Sequence, residues 1–190
     1  MSKNVQNKKH TAFNIAYCGI SSALAVIVMF VAIIPALAYL MPALAGMIVW
    51  SVSAVVRGKN SVKWGGLTYV AVSVLSLFLV PEIEGKTLFI LLFGYYPLLR
   101  EKIEFIKYTA VKLLIKAAVF NIAAVVFYYI TITIFGIADM LDGLDDFGRY
   151  AVYVLWGMSN VAFALYDIAL GYHFRLVRER FKPLIDKKIK

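Results

Sequence analysis

From Thr11 to Val56 the chain runs 46 residues without one Asp, Glu, Lys, Arg or His. A bilayer core of about 30 Å takes roughly 20 apolar residues of helix at about 1.5 Å each, so this stretch is long enough to cross it twice. Pro35 and Pro42 lie near its middle, where they bracket a bent re-entry into the membrane. The alternation of apolar run and short polar break then continues, giving runs near 12–34, 38–56, 64–80, 86–99, 110–136 and 150–173. The expectation is an all-α integral membrane protein, a single transmembrane domain over 1–190 with six transmembrane helices. A composition of 62% hydrophobic and 16% charged residues fits that class and not a water-soluble globule. The first run begins only after "MSKNVQNKKH" and has no small-residue cleavage site behind it, so it reads as a retained helix. The fourth, "KTLFILLFGYYPLLR", is the shortest; its 13 uncharged residues cover only about 20 Å, and Gly94 and Pro97 weaken its inner end.

Charge fixes the direction of the spans. With both termini cytoplasmic, the inner side holds Lys3, Lys8 and Lys9, then Arg57, Lys59 and Lys63, then Arg100, Lys102, Lys107, Lys112 and Lys116, and finally seven basic residues from Arg175 to Lys190. That is 18 of the 20 basic residues, with only Lys86 and Arg149 outside, as the positive-inside rule requires. Glu82, Glu84, Asp139, Asp142, Asp145 and Asp146 fall outside. The net charge of +9 therefore reads as orientation and contact with anionic lipids, and not as a nucleic-acid footprint. The largest polar pieces are "REKIEFIKYTAVKLLIK", expected as a helix lying in the interface, and the acidic outer loop "GIADMLDGLDDFG".

Chemistry-bearing motifs are scarce. Cys18 is the only cysteine, so no intrachain disulfide and no multi-cysteine metal site is expected. His10 and His173 stand beside basic residues at opposite ends of the chain and read as interfacial side chains. There is no glycine-rich phosphate loop and no Ser/His/Asp grouping at one depth, so no catalytic residue, metal or cofactor is assigned.

Polar residues inside the apolar runs are more informative. Counting from the helix ends places Asn121 of the fifth run and Asn160 of the sixth near the midplane, and Lys116 and Asp167 each roughly 9 Å from the inner end. Each pair shares a depth. An intramembrane carboxylate is costly unless paired, which makes Lys116 the candidate partner of Asp167; Lys63 and Arg175 are also within plausible reach. Tyr153, Trp156 and Asn160 share one helix face, on which a small ligand can stack and bond to the amide; an aromatic belt with an interhelical amide contact is the other reading. Tyr39 and Asn121 complete the candidate ligand-binding set. In "CGISSALAV" the pairs Gly19/Ala23 and Ser21/Ala25 have the small-xxx-small spacing of closely packed membrane helices, whether within this chain or against a partner.

A basic N-terminus followed by "NIAYCGISSALAVIVMF", six spans in about 190 residues, short loops and both ends inside resemble the S component of an energy-coupling factor (ECF) transporter. The similarity covers the whole chain in topology and only the first span in wording. It implies a non-enzymatic, multi-pass subunit of the bacterial plasma membrane that captures a vitamin or other micronutrient from outside. The pocket would lie in the outer halves of the helices, closed by the loop around Pro35 to Pro42. Small residues of the first span would contact a transmembrane T component coupled to two ATPase subunits. Two other classes stay open: a membrane scaffold resembling rod-shape-determining proteins, and a small secondary transporter using Asp167 as its coupling group.

Overall fold

The computed structural model describes residues 2–34, 37–56, 61–133, 150–183 and 185, with the side chains of 2–9 and 151 left aside. The acidic loop, Pro35, Arg57, Lys59 and the last basic residues lie outside them. Seven α-helices account for most of the described chain: α1 (Ser2–Phe30), α2 (Leu40–Val55), α3 (Ser61–Leu79), α4 (Ile83–Leu88), α5 (Tyr96–Ile103), α6 (Thr109–Thr133) and α7 (Ala151–Leu176). The protein is all-helical, with no strand among the described residues. Four segments, His10–Ile33, Ser61–Leu79, Thr109–Thr133 and Val152–Phe181, are long and apolar enough to cross a membrane.

The other two expected spans differ from regular long helices. Helix α2 has 16 residues, about 24 Å of rise, and is buried on nearly every side. The segment expected as a fourth span near 86–99 is broken. Helix α4 passes into a π turn, Phe89–Phe93, closed by the Gly94 N–H on the Phe89 carbonyl at 2.8 Å, and α5 starts afresh at Tyr96 with Pro97 in its first turn. Nor is 100–116 one interfacial helix, because α5 ends at Ile103 and α6 begins at Thr109. At the other termini helix exceeds expectation, since α1 already starts at Ser2 and α7 continues through a second π turn, Val177–Phe181.

Two apolar clusters flank α2. Ala45 and Val49 pack with Ala25, Val26 and Met29 of α1, Val72 of α3 and Phe89. Trp50, Ala54 and Val55 pack with Leu92, Tyr96, Phe120 and Ala123 of α6, and Phe163, Leu170 and Phe174 of α7. The buried stripe of α6, Lys116, Phe120, Ala123 and Phe127, follows the four-three spacing of one helical face, and the rest of α6 is turned to the surroundings.

The π turn is held by tertiary contacts. Its widened ladder frees the Ile90 carbonyl, which accepts from the Tyr69 hydroxyl at 2.8 Å. The Phe93 carbonyl loses its usual partner four residues on, because Pro97 has no N–H, and its oxygen lies against the Cα of Gly46. A Cβ at Gly46 would collide with that oxygen, so α2 and the turn approach this closely only because residue 46 is glycine. Gly46→Ala is therefore expected to lower stability by about 1–3 kcal/mol, whereas Gly19→Ala, at a position with open space around it, leaves it unchanged. Thermal unfolding of the detergent-solubilised variants separates the two, and equal melting temperatures would refute the close approach.

Candidate functional site

Asp167 occupies the centre of a charge cluster built from three helices. Its Oδ1 accepts from the Tyr96 hydroxyl and from Arg100 Nε, both at 2.6 Å, and its Oδ2 accepts from Lys116 Nζ at 2.8 Å. Tyr96 and Arg100 are four residues apart on α5, so one face delivers both donors to α7. Lys116 Nζ also donates to Glu104 Oε1 at 2.6 Å; Glu104 further pairs with Lys112 at 3.3 Å and with Arg100 at 3.5 Å. Arg100 and Lys116 are 8% and 7% exposed, so neither cation has water to fall back on. Room for the guanidinium comes from Gly171, one turn beyond Asp167, where a Cβ would stand 3.2 Å from Arg100 Nη2. The guanidinium carbon also lies 5.2 Å from the Phe174 ring centre.

A second layer ties α2 to the same end of the bundle, called the basic end below. Trp50 stacks on Phe174 with ring centres 3.6 Å apart, and its indole N–H donates to Glu101 at 3.0 Å. Glu101 also binds Arg178. Ser51 Oγ donates to the Met47 carbonyl and therefore accepts from His173 Nε2, at 3.0 Å. His173 is thus a structural link between α2 and α7, where the sequence suggested only an interfacial side chain.

The Lys116–Asp167 pair expected from depth counting is present, while Lys63 and Arg175, the other partners considered, are replaced by Arg100 and Tyr96. Asn121 and Asn160 also meet, the amides exchanging bonds at 3.1 and 3.4 Å. Each amide further donates to its own helix, Asn121 to Ala117 and Asn160 to Trp156, at 2.8 and 2.9 Å. The remaining ligand candidates, Tyr39, Tyr153 and Trp156, are all exposed. Tyr153 and Trp156 face outward from α7, and Tyr39 is bound to Glu84 of α4 at 2.7 Å. The small-residue pairs of α1 divide as well. Gly19 and Ala23 are exposed, but Ser21 and Ala25 are buried, which removes that pair from any external docking surface.

Sequence reasoning missed Tyr96, Arg100, Glu104 and the Trp50 layer. The spacing Tyr96/Arg100/Glu104, in steps of four, was a usable signal; it was obscured by treating Arg100 as the end of a span and Glu104 as part of an interfacial helix. Among the described residues two buried hydroxyls, those of Ser73 and Tyr166, have no hydrogen-bond partner; the Tyr166 ring meets Phe93 edge-on at 4.9 Å. No protein-family model, curated protein or solved structure matches this chain.

Removing one member of a buried ionic cluster strands the others. Asp167→Asn is expected to cost about 3–5 kcal/mol, read as a fall in melting temperature of several degrees; an unchanged value would show that the cluster does not hold the helices. The Lys116 hydrogen bond holds the Glu104 carboxyl below its ordinary value of 4.5, against an opposing effect of partial burial. Its contribution to stability is thus complete above about pH 4.5 and disappears as pH falls through the lowered folded-state value. Melting curves taken across the acid range should be flatter for Glu104→Gln than for the wild type.

Proposed function

We propose that this chain is the substrate-capture subunit of a bacterial micronutrient importer of the ECF S-component kind. In this reading it crosses the plasma membrane six times, with α2 and the α4–α5 segment as the two shorter passes and both termini cytoplasmic. The observation that carries it is an asymmetry between the two ends of α6 and α7. At the basic end the helices are closed by the Asp167 cluster and the Trp50 layer. Towards the other end the Asn121–Asn160 pair is only half-buried, and the exposed Trp156 and Tyr153 lie beyond it on α7. Apolar rings beside a few hydrogen-bonding groups are the chemistry by which a small organic molecule is held.

An outward-opening bundle closed on its cytoplasmic side suits capture followed by handover to a partner. The exposed Gly19 and Ala23 of α1 would meet the T component, which couples to the ATPase subunits. A secondary transporter that loads a proton on Asp167 has less support, since both carboxylate oxygens are already bonded to cationic or phenolic donors.

Native mass spectrometry of the detergent-purified chain is expected to retain a vitamin-sized molecule at one per chain, and Trp156→Ala or Asn160→Ala should weaken that retention about tenfold. A bare chain after challenge with a micronutrient library would transfer support to the membrane-scaffold reading.

A further inference from the structure

Cations at the basic end are paired unevenly. Arg100 is bound to Asp167 and Glu104, Arg178 to Glu101, and Lys112 and Lys116 to Glu104. Arg175 and Arg180 are exposed and make no ion pair among the described residues. Both line one open groove of about 430 Å³ on α7, together with Tyr172, His173, Leu176 and Glu179. The groove straddles the junction between α7 and its terminal π turn, which closes through the Lys182 N–H on the Val177 carbonyl.

The surface leading into the groove is apolar. Leu165, Ile168, Tyr172 and Leu176 are all exposed and form a strip that ends between the two guanidiniums. A continuous strip of hydrocarbon-facing side chains capped by two unpaired guanidiniums has the polarity of a phospholipid, acyl chains first and phosphate last. Guanidinium groups suit phosphate oxygens, with which they form charge-assisted and often bidentate bonds. Glu179 adds an acceptor beside them. That carboxylate suits a headgroup bearing hydroxyl donors.

We infer that this groove is a binding site for an anionic glycerophospholipid, with phosphatidylglycerol as the matching chemistry. Arg175 and Arg180 hold the phosphodiester, Glu179 accepts from the glycerol hydroxyls, and the acyl chains lie along α7. Phosphatidylcholine brings the same phosphate, but its net charge is zero and its trimethylammonium group meets Glu179 by charge alone, so the two guanidiniums favour phosphatidylglycerol. The site is separate from the Asn121–Asn160 region and does not depend on the importer reading.

The experiment uses the full chain in detergent with equimolar phosphatidylglycerol and phosphatidylcholine of identical acyl chains, read by native mass spectrometry. The wild type is expected to retain phosphatidylglycerol preferentially. The double variant R175Q/R180Q should lower that retention by about thirtyfold, at roughly fivefold for each juxtamembrane arginine. Lys182→Gln, outside the groove, should change it less than twofold. Equal retention of the two lipids by the wild type would overturn the assignment. So would a loss with Lys182→Gln as large as that of the double variant, which would mean diffuse charge attraction. Displacement of the lipid by soluble glycerol phosphate would mean that the acyl strip takes no part. If the double variant does not fold, the wild-type preference and the single variants Arg175→Gln and Arg180→Gln, each expected to lower retention about fivefold, still decide the matter.

Discussion

A single carboxylate, Asp167, governs how three helices of this protein stand together. Charge in a low-dielectric interior is tolerated only when it is compensated, and here the compensation is shared among Tyr96 and Arg100 of α5 and Lys116 of α6. None of these helices can move away without leaving a buried ion alone. Glu104 completes the arrangement by balancing the second cation, and Gly171 makes the space into which the guanidinium fits. The Trp50–Phe174 stack and the Glu101–Arg178 pair extend the same restraint to α2.

Away from this cluster, shape replaces charge as the organising factor. Helix α2 is short, nearly surrounded, and set against a carbonyl of the π turn through Gly46. The broken α4–α5 segment is what brings Tyr96 and Arg100 into line with Asp167. Helices α6 and α7, by contrast, expose most of their surface along the middle and far portions, where the contact between them includes the amide pair. Among the described residues, the helices thus combine a strongly tied end with a less tied one.

Much of this was legible in the sequence, for identifiable reasons. Charge-free runs mark the long helices because hydrocarbon excludes charge, and residue counting along two antiparallel helices was enough to bring Lys116 to Asp167 and Asn121 to Asn160. The π turn was not legible, since it rests on a hydrogen bond that Tyr69 donates to the Ile90 carbonyl and on Gly46, both supplied by other helices far away in sequence. Small-residue spacing told which residues of α1 share a face but not which face turns inward, so Ser21 and Ala25 could not be separated from Gly19 and Ala23. Tyr39 was grouped with Trp156 and Asn160 as pocket lining without any sequence signal for its neighbours, and its hydroxyl is bound to Glu84.

The tryptophans have a consequence of their own. Trp50 is fully enclosed, stacked on Phe174 and faced by the Arg178 guanidinium at 5.7 Å, whereas Trp156 projects from the loosely tied portion of α7. Two indoles in such different surroundings differ in emission colour and in accessibility to quenchers. Once the third tryptophan, Trp64 of α3, is replaced by phenylalanine, the molecule carries an intrinsic optical reporter at each end, and loosening of one end can be distinguished from rearrangement at the other without attaching a label.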